Sequence, residues 1–346
     1  MSRANWVRDR TVQAKLASVD SMLQELGRCV AIPGLHAQLL SPRAKRLRPA
    51  LMLLAARFGR VDPGDVLVEA AAGVELLHEA TLYHDDIVDE AETRRGFAST
   101  HRRYGAYAAS CAGSELLYRT VPLFADLPHT LRRDAAATVN ALCTGQLREI
   151  ESTGSMDCSV RRRVRIMRDK TARLFVLAAT IGGELSHAGA EDVRTLRRFG
   201  ATFGLAFQLA DDVRDIIESE SRLGRPPGSD LRDGVYTLPV VLALQGPSED
   251  SAALRRRLVS LTQTRSRSDL DVCVDLVRRC RAIDRAIEMQ RAWIRTARSQ
   301  LDALGGRPRE AVASFRALLD AVTLHDEASD EGATAAEAAA CEVMNA

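Results

Sequence analysis

Two apolar stretches of this chain carry the same acidic cluster, Asp85-Asp86-Ile87-Val88-Asp89 and Asp211-Asp212-Val213-Arg214-Asp215. Both read D-D-x-x-D, and both lie in runs whose apolar spacing is helical. On a helix, positions i and i+4 share a face, so Asp85 points with Asp89 and Asp211 with Asp215. Asp86 and Asp212 sit about 100° round the helix and need not be ligands. Like charges at i and i+4 destabilise a lone helix. A cation accounts for such crowding, and an oxygen-only set suits Mg²⁺, which shares its shell with water and substrate phosphate. Two such faces opposed across a cavity would hold a diphosphate through bridging ions. With 26 Asp in 346 residues, chance gives one such motif in roughly one chain in seven and two in about one in a hundred.

The rest of the pattern is helical. Alternating β-branched runs and Asn-Gly hairpins are missing, and aromatic residues make up only 4%. Ala, Leu, Arg and Glu dominate, all good helix formers. Breakers fall at Pro33-Gly34, Ser41-Pro42, Asp62-Pro63-Gly64, Gly224 to Gly228, Gly246-Pro247 and Gly305 to Pro308. Residues 64–91 are apolar on most sides, interrupted by Glu69, Glu75 and Glu79 before the aspartates. Such a helix belongs in the centre of a bundle, and 199–218 reads the same way. The expectation is one all-α domain over 1–325, a bundle of 10–13 helices round a central cavity. The Ala/Glu/Asp-rich stretch 326–346 reads as a disordered tail.

Composition narrows the function. A net charge of +2, with both signs mixed along the chain, gives no reason to expect nucleic acid or acidic membranes as partners. Seven cysteines, odd in number and without a C-x-x-C pair, argue for free thiols in a reducing cytoplasm. No apolar run reaches transmembrane length, and no apolar signal core follows Met1, so a cytoplasmic location is expected. Only three lysines occur, at 15, 45 and 170, against 45 arginines. Two of those three fall in candidate motifs.

Thr93-Arg94-Arg95-Gly96 follows the first acidic cluster, and arginine forks grip phosphate oxygens bidentately. Arg43 to Pro49 is a second basic cluster where a helix begins; cations there oppose the macrodipole, which an anion would relieve. Lys170-Thr171 reads as opening another helical run, a plausible phosphate seat. His78 lies two turns before Asp85. Each feature alone fits a solvated surface or a satisfied core residue.

Their order along the chain resembles that of the trans-isoprenyl diphosphate synthases, the farnesyl, geranylgeranyl and long-chain polyprenyl diphosphate synthases. The matching stretches are KRLRP (45–49), ELLHEATLYHDDIVDEAETRRG (75–96), DKTARLF (169–175), FQLADDVRD (207–215) and GRPPGSDLRDGVYTLP (224–239). They span Lys45 to about Leu244. The resemblance implies a homodimeric, Mg²⁺-dependent prenyltransferase with three ions per active site. It makes Asp85, Asp89 and Asp211 metal ligands, with Asp215 on the same rim. Arg94, Lys170, Thr171 and Gln208 match positions that hold the allylic diphosphate. Lys45, Arg48, His78 and Arg95 match the isopentenyl diphosphate pocket. Three positions depart from the pattern: Arg225 and Val235 stand where Lys is usual, and Ser114 where Asp is common.

Product length depends on what closes the cavity below the first motif. Thr81 and Leu77 lie about 6 and 12 Å below Asp85 along the helix. Short-chain relatives often carry aromatic rings at the positions of Ala80 and Thr81. Both are small here, so a product of C20 or longer is expected. Leu77, Val74 and the stretch 141–147 are left to close the floor. A terpene cyclase of the same fold and a non-catalytic subunit of a heteromeric synthase are the competing readings. The retained Lys45, Arg48, His78 and Arg95 argue against the first, and the six intact aspartates against the second.

Overall fold

The computed structural model describes residues 7–28, 39, 41, 44–223, 226–305 and 308–324. The expected tail and Arg225 lie outside the described residues. Sixteen α-helices are present among those described, thirteen of them seven residues or longer. Helices α1 (Arg10–Arg28), α2 (Leu47–Ala56) and α3 (Asp65–Val88) lead to a short hairpin of β1 (Thr93–Arg94) and β2 (Phe97–Ala98). Next come α4 (Thr100–Tyr104), α5 (Ala106–Leu123), α6 (His129–Ser152), α7 (Val160–Met167) and α8 (Arg173–Leu185). The second acidic motif lies on α9 (Ala190–Ile217). The chain continues through α10 (Glu220–Leu223), α11 (Ser229–Arg232), α12 (Leu238–Leu244) and α13 (Glu249–Thr264). It finishes with α14 (Arg267–Arg279), α15 (Ala282–Ala303) and α16 (Arg309–Val322).

These elements group into two compact units. One comprises Met1–Asn140, Leu174–Gly200 and Ser299–Ala321; the other comprises Ala141–Arg173, Ala201–Arg298 and Val322–Ala346. In the first unit, α3 is the central helix. It packs against α1, α2, α4 and α5, and is buried on most sides from Leu67 to Asp86. Gly113 lets α5 close on it: a Cβ there would lie 2.9 Å from the His84 ring and 3.1 Å from the Ala80 carbonyl. Phe199 meets Phe315 edge-on, with ring centroids 4.9 Å apart, deep in the same core. Truncating such a ring to alanine costs about 3–5 kcal/mol.

In the second unit, α12 packs against α7, α13 and α14. Pro239 is tolerated because it falls in the first turn of α12, where backbone N–H groups have no helical partner. Ser248 and Ser266 cap α13 and α14, their hydroxyls accepting from Ser251 N–H and Asp269 N–H at 3.1 Å. Each such cap contributes about 1 kcal/mol.

One expectation changes here. Lys170-Thr171 does not open a helix: α7 runs through a π-helical turn, Arg168–Ala172, into α8. No Gly or Pro interrupts residues 159–181, so the chain absorbs one extra residue as a bulge rather than stopping. Such bulges recur at functional sites.

Candidate active site

The first acidic motif ends α3. Asp89 stops the helix, its N–H donating to the Asp85 carbonyl at 2.8 Å. Asp85 and Asp89 are both half-buried. Asp86, one residue on, is only 1% exposed. It accepts from Arg94 Nε at 2.8 Å and pairs with Arg94 Nη2 as well. Burial raises the Asp86 carboxyl above its ordinary range, against the pull of Arg94. Within the motif, then, two carboxylates remain reachable and the middle one secures an arginine.

Arg94 and Arg95 are delivered by the β1–β2 hairpin, whose register pairs Thr93 with Ala98 and Arg94 with Phe97. The two-residue turn is Arg95-Gly96, with φ of 53° and 86°. A tight turn of this kind needs left-handed backbone at both positions, which Gly supplies freely and Arg does not. Arg95 Nη1 lies 2.6 Å from Glu79 Oε1.

Three further basic residues of this unit lie at the start of α2. Arg48 lies in the first turn of α2 with its guanidinium 4.7 Å over the Phe175 ring. Lys45, just before α2, is exposed. Arg46 caps α2 in left-handed conformation, φ 50°. It pairs with Glu75 at 2.8 Å, with Asp20 at 3.1 Å and with Glu79 at 3.8 Å. His78 keeps a partly accessible edge. Burial of its ring, reinforced by Arg48, Arg95, Arg94 and Arg46, holds it neutral well below the usual imidazole range. Below the motif, Leu77 and Ala80 are buried, and the half-buried Thr81 turns its hydroxyl back to the His78 carbonyl at 2.7 Å. Ser114 lies half-buried on α5.

The second motif shares the buried middle carboxylate but also buries its last one. Asp211 is exposed, with Arg214 Nη1 3.3 Å away. Asp212 is buried and accepts from Gln208 Nε2 at 2.8 Å and Leu238 N–H at 3.5 Å. Burial pushes its carboxyl up to about 7, with Arg163 opposing. Asp215 is also buried, and its carbonyl accepts from Gly228 N–H at 2.8 Å. Thr171 donates to Gln208 Oε1 at 2.8 Å, so Thr171, Gln208 and Asp212 form one chain of hydrogen bonds. Lys170 Nζ pairs with Glu149, whose other oxygen is 2.9 Å from Arg163. Burial alone would raise Glu149; the two cations outweigh it and hold the carboxyl below its ordinary value. Gly145 makes room for this, since a Cβ there would sit 2.9 Å from Lys170 N. Val235, a departure position, is half-buried and donates its N–H to the Asp230 carbonyl at 2.8 Å.

Among the described residues, no three His, Cys, Asp or Glu side chains form a closed cage for an ion. Half-buried Asp85 and Asp89 on α3 offer oxygen atoms of the kind a hard cation takes while keeping water and phosphate in its shell; Asp211 on α9 is exposed.

The pattern described as polyprenyl synthetase matches residues 32–277. The chain belongs to this family. This polyprenyl synthetase is 37% identical over 240 residues to the nonaprenyl diphosphate synthase of Mycobacterium tuberculosis, covering 69% of this chain and 71% of that one. It is 29% identical over 284 residues to heptaprenyl diphosphate synthase component 2 of Bacillus subtilis, covering 82% and 79% of the two chains. The crystal structure of a polyprenyl synthase from Caulobacter crescentus, complexed with calcium and isoprenyl diphosphate, superposes with a TM-score of 0.85. Identity there is 27%, over 93% of this chain and 97% of that one. This synthetase is therefore a prenyltransferase with the all-α fold of its family.

Glu75, Glu79, Glu149, Arg46 and Arg163 support the candidate residues, yet motif reading passed over them. Glu75 and Glu79 did carry a signal: two carboxylates one turn apart in an apolar helix require partners. Nothing local says that the partners are Arg46 and Arg95.

Proposed function

We propose that this polyprenyl synthetase joins isopentenyl diphosphate head-to-tail to an allylic diphosphate, giving all-trans products of C20 or longer. The observation that carries this reading is the contrast inside each motif. Asp86 and Asp212 are buried, whereas Asp85 and Asp89 are half-buried and Asp211 is exposed. Asp85, Asp89 and Asp211, with the more buried Asp215, are assigned to three Mg²⁺. Bound there, Mg²⁺ supplies Lewis-acid neutralisation of the charge that develops on the leaving diphosphate.

The chain's own groups do the rest. Arg94, Lys170, Thr171 and Gln208 fix the allylic diphosphate so that its C–O bond breaks in one orientation. Lys45, Arg48, His78 and Arg95 anchor isopentenyl diphosphate, and neutral His78 serves there as a hydrogen-bond donor rather than a charge. Excluding water lets the allylic cation survive until the double bond of isopentenyl diphosphate attacks it. The departing diphosphate accepts the proton then lost, so no side-chain base is assigned. Small Ala80 and Thr81 leave the path below Asp85 open for chains beyond farnesyl.

We assign the working form to a cytoplasmic homodimer. No described helix is long and apolar enough to cross a membrane. Along one face of α5, Tyr107, Tyr118 and Val121 are 85%, 73% and 64% exposed, with exposed Cys111 between them. A second copy would cover this stripe.

The deciding experiment supplies isopentenyl diphosphate, Mg²⁺ and a C10, C15 or C20 allylic starter, with mass spectrometry of the dephosphorylated products. Alcohols lengthened by C5 steps support the proposal. Hydrocarbon formed without isopentenyl diphosphate would identify a cyclase instead. Chelation by EDTA is expected to abolish turnover while leaving the circular dichroism spectrum unchanged.

A further inference from the structure

Glu79 is a fully buried carboxylate in the middle of α3. One of its oxygens lies between two guanidiniums, 2.6 Å from Arg95 Nη1 and 3.8 Å from Arg46 Nη1. Neither carboxylate oxygen has a well-directed hydrogen-bond donor, despite the close approach of Arg95. A buried, imperfectly satisfied charge is costly and persists where it serves something other than stability.

The two arginines explain the service. Six non-glycine residues among those described have left-handed backbone, and Arg46 and Arg95 are two of them. Such residues cost about 1–3 kcal/mol each and persist only when their surroundings over-determine them. Arg95 arrives from the hairpin and Arg46 from the cap of α2, and both approach Glu79 on α3. Glu75, Asp20 and the Leu39 carbonyl are further partners of Arg46.

We infer that Glu79 is a positioning residue: it holds the Arg95 guanidinium toward the proposed pocket beside His78, and so sets how tightly isopentenyl diphosphate is held. The inference rests on the proposed function, because it takes that pocket as the isopentenyl diphosphate site. The effect is expected to fall on one substrate. Arg94, assigned to the allylic diphosphate, is held separately by Asp86.

The test compares wild type with Glu79→Gln and Glu79→Ala in full steady-state kinetics for both substrates. Gln keeps the shape and one acceptor oxygen but loses the charge that attracts Arg95, so KM for isopentenyl diphosphate is expected to rise about fivefold. Ala removes the support entirely, and a rise of at least about tenfold is expected, as for other lost supporting contacts. In both variants, kcat and the allylic KM stay within about twofold of wild type, a selectivity that general loosening of the fold would not produce. If Glu79→Ala does not fold, Glu79→Gln decides alone. A folded Gln variant with unchanged isopentenyl diphosphate KM overturns the inference, as does an equal rise in both KM values. Wild-type enzyme that never consumes isopentenyl diphosphate would defeat the proposed function itself, a result visible before any variant is made.

Discussion

The buried carboxylate of Glu79 also predicts how stability depends on pH. Burial pushes it up to about 7 from the ordinary 4.5; Arg95 and Arg46 oppose the rise, while nearby Glu75 adds to it. In the folded chain the group therefore binds a proton across a range where the unfolded chain has lost it. The stabilisation is complete below about 4.5 and is lost as pH rises through about 7. Moving a carboxyl over that interval is worth about 3 kcal/mol at 1.36 kcal/mol for each tenfold change in proton affinity. Unfolding entropy of about 2.1 cal/mol/K per residue, applied to all 346 residues, converts this to a change in Tm of about 4–5 °C. If the first unit melts by itself, the change is roughly 8 °C.

The assay is a thermal melt of wild type and Glu79→Gln from pH 5 to pH 8. Gln cannot ionise, so taking the difference in Tm cancels the other titrating groups. The charged groups facing Glu79 are Arg95 from the hairpin, Arg46 from α2 with Asp20 of α1 behind it, and Glu75 on its own helix. Wild type should lose about 3–6 °C relative to Glu79→Gln over this range, since part of the titration lies below pH 5. A flat difference would refute the reasoning, because it would mean that the carboxyl stays ionised throughout. A gain with rising pH would reverse its sign.

Three other results are expected. Thr81→Phe, which places a ring about 6 Å below Asp85, should shorten the product; an unchanged distribution by mass spectrometry rules out this account of the floor. Asp211→Ala should abolish turnover with an unchanged melt. Asp212→Ala, by contrast, strips the partner from Gln208 and Leu238 N–H and should destabilise by about 1–3 kcal/mol. Matching phenotypes at these two neighbours would remove the distinction between ligand and support. Tyr118→Glu, in the exposed stripe of α5, should convert the proposed dimer to monomer in sedimentation velocity; a wild-type monomer would defeat the homodimer directly.

Much of this architecture was readable from the chain because helices announce themselves locally. The breaker at Asp62-Pro63-Gly64 and the apolar run behind it gave α3, which starts at Asp65. The angular offset of Asp86 and Asp212 from their neighbours foreshadowed their separate surroundings. The π-helical turn was not legible, since one extra residue in an unbroken helical run leaves no mark in composition or period. The hairpin carrying Arg94 and Arg95 was equally silent: each strand has only two residues, too few to show alternation.

The deepest gap concerns the cations. Read along the chain, Arg94, Arg95 and Lys170 are positive charges waiting for phosphate. In the folded protein each already has a carboxylate beside it: Asp86, Glu79 and Glu149 respectively. Lys170 and Glu149 are 21 residues apart, so no sequence window shows the pair. A flexible cation in water loses rotamer freedom when it grips a ligand, at about 0.5–1.5 kcal/mol per side chain. A carboxylate behind it removes that loss in advance and offsets part of the repulsion among clustered cations. It also weakens the pull on an anion by partial neutralisation. Arg48 also lies over the Phe175 ring, whose aromatic face restrains the guanidinium. Removing the carboxylates should therefore loosen substrate binding selectively, each for the diphosphate its own cation holds, while Phe175→Leu should weaken isopentenyl diphosphate alone.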